Sequence, residues 1–267
     1  MRLCSSLLLL VIGAGLTACQ TPPPDSGPKP GIALSFDDRF VREWYALRPL
    51  FQKYNVRATF YITQFDSLSP TEISQLQTLQ REGHEIGCHG AMHTHSINYV
   101  KATSLQQYLN DEVFAELRSM RRHGFHPTSF AHPGGVHNTE IDQALLTQFV
   151  LLRDVALLKR TVWGLTLRWN VRWLPGIYHH FDGQRTVDAL LIDDDAGLTR
   201  PDWQLAIQKA NTDKAALLLF GHKPFRQPVK AGEYGFQVAR LDSLLADCQR
   251  AGLISYTMSE LVQRPGG

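Results

Sequence analysis

Three short apolar runs, each of strand length and each ending in ionisable side chains, constrain this chain more than any other feature. The first, Gly31-Ile32-Ala33-Leu34-Ser35-Phe36, runs into adjacent carboxylates, Asp37 and Asp38. Successive side chains on a strand point to opposite faces, so the two carboxylates cannot share one solvated role. One can bind a cation while its neighbour stays free to move a proton. A turn or helix-cap Asp pair is the plainer alternative, since Asp is common in both settings. The other two runs weigh against it. Gly83-His84-Glu85-Ile86-Gly87-Cys88 leads into His89, His93 and His95, and Leu217-Leu218-Leu219-Phe220-Gly221 leads into His222. If the segment after Cys88 turns helically, His89 and His93 lie about 40° apart on one face and His95 points away. Two imidazoles with one carboxylate make up the facial ligand set of open, catalytic metal sites.

Between these runs the pattern alternates. Ala58 to Thr63 is β-branched and aromatic, and Ser69-Pro70-Thr71-Glu72 combines a capping box with Pro at the first helical position, opening a helix that Gly83 closes. Leu105, Leu109, Val113, Leu117 and Met120 recur at helical spacing up to Gly124, as do Val238, Leu241, Leu244, Leu245 and Cys248 before Gly252 and a last strand near Ile254-Ser255-Tyr256. Alternation of this kind predicts an α/β fold of parallel strands wrapped by helices. In such barrels functional groups gather at the C-terminal strand ends, where each ionisable motif sits.

From about Gly31 to Val262 the ordered motifs resemble the NodB-homology polysaccharide deacetylases, carbohydrate esterase family four. Ser35-Phe36-Asp37-Asp38 is similar to the family's Thr-Phe-Asp-Asp motif, His89 and His93 to its His-x-x-x-His motif, and His222 to its late Leu-x-His motif. The resemblance implies a distorted, incomplete (β/α) barrel of about seven units. It implies a catalytic base at Asp37, a general acid at His222 and a metal held by Asp38, His89 and His93. Zinc heads the candidate ions, with cobalt, nickel, manganese and iron also admitted by the ligand set. Pro133, Gly134 and Gly135 fall in the third motif, where glycine allows close backbone approach and an N–H could stabilise an oxyanion.

Two departures stand out. Arg39 follows the Asp pair where the family often has Gly, so the loop must tolerate a side chain. The third motif reads Phe130-Ala131-His132-Pro133-Gly134-Gly135, which is closer to the Phe-Ala-Tyr-Pro-x-Gly form of a divergent branch, and Ala131 stands where an arginine would orient the base. For the fourth motif only Asp154 and Trp163 offer themselves. The expected activity is metal-dependent hydrolytic removal of N-acetyl or O-acetyl groups from an extracytoplasmic polysaccharide. The alternatives are a catalytically impaired sugar-binding lipoprotein, motivated by Ala131, and a hydrolase of the same scaffold acting on small C–N amides.

Residues 1–18 read as a secretory signal: Arg2, an apolar run from Leu7 to Leu16, then Leu16-Thr17-Ala18-Cys19. That run is too short to span a bilayer comfortably. The pattern resembles a bacterial lipobox, implying lipidation at Cys19, membrane anchoring facing the periplasm or cell exterior, and outer-membrane sorting in a Gram-negative source. Residues 19–30 are a Pro-rich tether, and residues 31–267 a single catalytic domain. A formal charge of +2 argues against a nucleic-acid partner. Cys88 and Cys248 could pair in an oxidising compartment. His84 is expected to be a structural hydrogen-bonding residue and His95 a reserve ligand. His132 is equally a substrate contact or a filler of the motif's Tyr position. His179 and His180 match no motif. Trp163, Trp169, Trp173 and Trp203 are read as packing residues before sugar platforms.

Overall fold

The computed structural model describes residues 27–263. Seven parallel strands form its centre: β1 (Gly31–Asp38), β2 (Ala58–Ile62), β3 (Glu85–Cys88), β4 (Ser129–Ala131), β5 (Leu151–Ala156), β6 (Thr186–Leu191) and β7 (Ala216–Gly221). Each pairs with the next, and β7 pairs with β1 over Gly31–Phe36, closing the ring. The expected barrel of about seven units is therefore present, closed with one strand fewer than the eight-fold form. An eighth strand, β8 (Ile254–Tyr256), pairs with Gly31–Ala33 on the side of β1 where β2 takes over from Leu34 onward.

Strand periodicity sorts the side chains into two layers. Ile32, Leu34, Phe36, Phe60, Ile62, Ile86, Cys88 and Leu152 belong to the large core between ring and helices. Ala33, Tyr61, Ala131, Leu151, Val187, Leu218 and Phe220 belong to a second cluster inside the ring. By the same parity Asp37, His89, Arg153 and His222 fall on the inner face. The opposite parity puts Asp154 on the helix side of β5.

The helix Pro70–Arg81 starts with the expected capping box, Ser69 and Glu72 satisfying each other's backbone N–H groups. The predicted helix from Leu105 is continuous to Arg122 but passes through a π-helical stretch at Leu109–Phe114. That wider turn brings Glu112 and Val113 inward, and π-turns of this kind concentrate at functional sites. Val238–Arg250 forms the last long helix, as its spacing predicts. Outside the ring, Lys159–Val162 and Leu165–Arg168 form an antiparallel hairpin. Trp163 at its tip is 99 % exposed, and Trp169 and Trp173 nearby are also exposed, so of the four tryptophans read as packing residues only Trp203 is buried. Cys88 and Cys248 are both buried and unpaired, so the disulfide is not formed. Among the described residues no helix is long and apolar enough to cross a membrane. The signal, the tether up to Asp25-Ser26 and Cys19 lie outside the described residues.

Candidate metal and catalytic site

At the C-terminal rim of the ring the strand ends bring Asp38, His89 and His93 together, with one ligand atom from each within 4.8 Å of the others. Asp38 Oδ1 lies 3.4 Å from His93 Nε2 and 3.8 Å from His89 Nε2. Asp38 reaches the rim because its backbone turns to φ 86° at the end of β1, an uncommon conformation for a residue with a Cβ. The left-handed turn falls on Asp38 and not on Arg39, which explains how a side chain is tolerated at position 39. Arg39 points outward and hydrogen-bonds Gln64 at 2.7 Å.

His89 Nδ1 is 2.8 Å from the Ala131 carbonyl. A carbonyl only accepts, so Nδ1 carries the proton and Nε2 presents its lone pair toward Asp38, the tautomer a metal ligand needs. Burial lowers the His89 pKa to about 4, against the pull of Asp37 and Asp38, which keeps the ring neutral. The helical route expected for His93 is not taken. Residues 89–95 form an irregular bend, with Gly90 at φ 82° and His93 itself at φ 59°. What holds the loop is Glu112 from the π-helical stretch: its carboxylate accepts from Met92 N (2.8 Å), Thr94 N (2.8 Å) and the Thr94 hydroxyl. A Cβ at position 90 would meet Glu112 Oε2 at 2.6 Å. His95 stands immediately before the next helix and is exposed over Gly134, outside the ligand group.

Asp37 is 3 % exposed and faces a fully buried Arg153 from β5, whose Nη2 donates to both carboxylate oxygens. The guanidinium is packed over the rings of Phe220 (4.6 Å) and Tyr61 (5.2 Å). Burial pushes the Asp37 carboxyl up, but Arg153 and then His89 and His222 outweigh it, leaving the group below its ordinary range and ionised. In the sheet register Arg153 sits directly beside Ala131. The guanidinium missing from β4 is thus supplied one strand over, from the same inward-facing layer.

His222 follows β7. Its Nδ1 is 2.6 Å from Asp193 Oδ2 and its backbone N–H donates to Asp193 Oδ1 at 3.1 Å. The carboxylate thus fixes the ring with Nε2 free. Burial opposes the imidazolium, but Asp193 and Asp37 outweigh it and raise the His222 pKa. Tyr234 arches over from the loop after β7, donating to Asp38 Oδ2 at 2.8 Å with its ring 5.1 Å from that of His222. An open cleft of about 450 Å³ leads to this rim between Asp38, Phe40, Gln64, Met92, His93 and Tyr234.

Pro133, Gly134 and Gly135 form a single tight turn with both glycines at positive φ. The Gly135 N–H is engaged by the His132 carbonyl at 3.0 Å and Pro133 has none, so only the Gly134 N–H is left as a candidate donor from that trio. His84 accepts from Ala58 N at 2.9 Å, a structural role as expected. His179 caps the Phe181 N–H and sits beside the start of β7, at the opposite end from the site. Neither fourth-motif candidate reaches Asp37: Asp154 bonds His137, and Trp163 is at the hairpin tip.

Arg153, Asp193, Glu112 and Tyr234 complete the site without belonging to any motif read from the sequence. Two of them leave a signal there: Arg153 is a charge inside the apolar run of Leu151-Leu152-Arg153-Asp154-Val155-Ala156, and Asp193 tips the apolar run Ala189-Leu190-Leu191-Ile192.

Residues 25–148 match the family model described as Polysaccharide deacetylase. That span holds Asp37, Asp38, His89 and His93 but stops before Arg153, Asp193 and His222. No curated protein matches the chain by sequence. Among solved structures, the chain is similar to the Xyl-CE4 domain of a multidomain xylanase from the hindgut metagenome of Trinervitermes trinervoides, at 17 % identity, covering 90 % of this chain and 94 % of that one with a TM-score of 0.52. It is also similar to the chitin deacetylase of the fungal pathogen Colletotrichum lindemuthianum, at 15 % identity, covering 88 % and 89 % with a TM-score of 0.54. At these identities the likeness shows a shared fold.

Proposed function

We propose that this chain, whose residues 25–148 carry the polysaccharide deacetylase family segment, is a metal-dependent hydrolase that removes N-acetyl or O-acetyl groups from an extracytoplasmic polysaccharide. The observation that carries the reading is the convergence, on one barrel rim, of an Asp-His-His ligand set with a second aspartate locked to an arginine and a histidine locked to an aspartate. Asp38, His89 and His93 would hold the ion, zinc first. The donor set of two neutral imidazole nitrogens and one carboxylate oxygen fits a divalent borderline ion with open positions. When bound, such an ion supplies Lewis acidity toward the acetyl carbonyl and toward the attacking water.

The remaining roles belong to the chain. Asp37, held ionised and oriented by Arg153, takes the proton of the attacking water. An ion-paired carboxylate is a weak base, and it would suffice only toward a water whose acidity a bound ion would raise. His222, fixed through Nδ1 by Asp193, delivers a proton from Nε2 to the departing amine or alcohol. The Gly134 N–H is the candidate donor to the oxyanion. Arg153 removes the main motive for an impaired, merely sugar-binding protein, since the guanidinium that Ala131 lacks is present. Retention of the acid and base pairs also favours turnover over binding alone. The signal pattern ending at Cys19 supports a lipid-anchored protein outside the cytoplasmic membrane. That location favours a polymer over cytoplasmic small amides.

The test is acetate release from chitin oligomers, poly-N-acetylglucosamine, peptidoglycan and acetylated xylan, with bound metal quantified. Asp37→Asn and His222→Ala should each retain metal and lose turnover by at least about 100-fold. Wild-type activity in both variants would overturn the assignment. Metal lost from Asp37→Asn would contradict the division of labour between the two aspartates.

A further inference from the structure

A second cluster of ligand-type side chains lies on the helix side of β5, apart from the site above: His132, His137 and Asp142 offer one ligand atom each within 4.8 Å of one another. His132 is fully buried, yet neither of its ring nitrogens has a hydrogen-bond partner, and the same is true of Asp142 Oδ1. His132 Nε2 and Asp142 Oδ1 stand 3.2 Å apart without meeting hydrogen-bond geometry. His137 Nδ1 is 2.8 Å from Asp142 Oδ2, and its Nε2 is 2.6 Å from Asp154 Oδ2. The two imidazoles stack at 4.6 Å.

A closed polar cluster, with a protonated His137 between two carboxylates, accounts for part of this. It leaves His132 Nδ1 without a partner and His132 Nε2 and Asp142 Oδ1 facing each other outside hydrogen-bond geometry, and native interiors rarely accept that. Nor does it balance charge: Asp142 and Asp154 face one imidazolium, Asp188 adds a further carboxylate beside Asp154 on the next strand, and among the described residues no lysine or arginine ion-pairs with Asp142 or Asp154. Asp154 stands where an outer carboxylate stands in many zinc sites, taking the Nε2–H of His137 so that Nδ1 faces Asp142 and His132.

We propose that His132, His137 and Asp142 form a second site for a divalent borderline cation such as zinc, with Asp154 as the outer partner of His137. An ion at the common point of the three ligand atoms gives His132 Nε2 and Asp142 Oδ1 a shared partner, and with the His137 proton displaced the charges of the ion, Asp142 and Asp154 cancel. Its position makes it structural. It ties the end of β4 and the Pro133–Gly135 turn to the helix Thr139–Leu145, which carries Asp142, and through Asp154 to β5. The inference is independent of the reaction proposed above.

The experiment is a metal count. The full chain is stripped with a chelator, reloaded with zinc, dialysed and assayed by elemental analysis. Two ions per chain are expected, falling to one in His93→Ala, to one in His137→Ala and to none in the double variant. Asp154→Asn should retain the site with zinc bound about 10- to 100-fold more weakly. One ion in the wild type, lost in His93→Ala and kept in His137→Ala, would overturn the proposal. Should His137→Ala not fold, anomalous diffraction at the zinc edge from wild-type crystals decides the matter. A peak about 2.0–2.2 Å from His132 Nε2, His137 Nδ1 and Asp142 supports the site, and a peak at Asp38 alone refutes it.

Discussion

Glu112 lies outside the ligand set, yet the geometry makes it the residue on which His93 depends. Its two oxygens accept from the backbone N–H groups on either side of His93, at Met92 and Thr94, and from the Thr94 hydroxyl. Glu112→Gln keeps the shape but leaves one accepting oxygen, so at least one of these donors loses its acceptor and meets an NH₂. An unsatisfied buried N–H costs about 1–3 kcal/mol. If that cost falls on the loop conformation presenting His93, zinc affinity drops by about 5- to 150-fold, since each 1.4 kcal/mol is a factor of ten. Affinity would be read by competition with a chromophoric chelator, and turnover at saturating zinc. The affinity should fall while kcat at saturation stays near wild type, because Asp37 and His222 keep their partners. An unchanged zinc Kd in a folded variant would refute the reasoning. A loss of kcat that excess zinc does not restore would place Glu112 in the chemistry instead.

Arg153→Met removes the counter-ion of a buried carboxylate, a change that destabilises by about 3–5 kcal/mol, and should cut acetate release by at least about 100-fold as burial pushes Asp37 toward its protonated form. Adding Ala131→Arg in the neighbouring register position should restore part of the rate. No gain in the double variant would mean that the β4 position does not reach Asp37. Stability should fall on acidification through His84, whose pKa burial lowers to about 4 from an ordinary 6.5. The unfolded state binds the proton first, so stability is full above about pH 6.5 and lost down to about pH 4, by roughly 3 kcal/mol in all. Urea midpoints at pH 7 and pH 4 should therefore differ less in His84→Gln than in wild type, and equal differences would exclude His84 as the source. Trp163→Ala at the exposed hairpin tip should shift stability by no more than about 0.5 kcal/mol; a larger loss on denaturation would show that the indole is packed.

The barrel and the candidate ligand group are legible because each is written locally. A strand-length apolar run followed by Asp, His or Gly-His needs no knowledge of neighbouring strands, and the parallel alternation places all such tips on one rim. The partners that tune them are written non-locally. Arg153 meets Asp37 across 116 residues, by a register that no local pattern encodes. Asp193 yields to the rule that finds Asp37, since it also tips an apolar run. His93 joins the candidate ligand group by a route the spacing does not give: four-residue spacing suggests a helix face, whereas Gly90 marks a turn whose shape is set by Glu112. The His132 cluster is hidden for a related reason. Its parity is opposite to that of the rim, and the spacing of His132, His137 and Asp142 matches no single helix or strand.

The shared flank of β1 bears on how the chain is made. Gly31–Ala33 wait for Ile254–Tyr256, while Leu34–Asp38 are taken by β2. Ser255 Oγ accepts from Arg57 N and donates to Arg57 O, both at 2.8 Å, and Ile254 N reaches back to Pro30 O. β1 therefore finds this neighbour only after every other strand of the ring has been made, a contact of long sequence separation of the kind that slows folding. A nascent chain halted before residue 254 would keep an unsealed seam at the base of the ring, however complete the opposite rim.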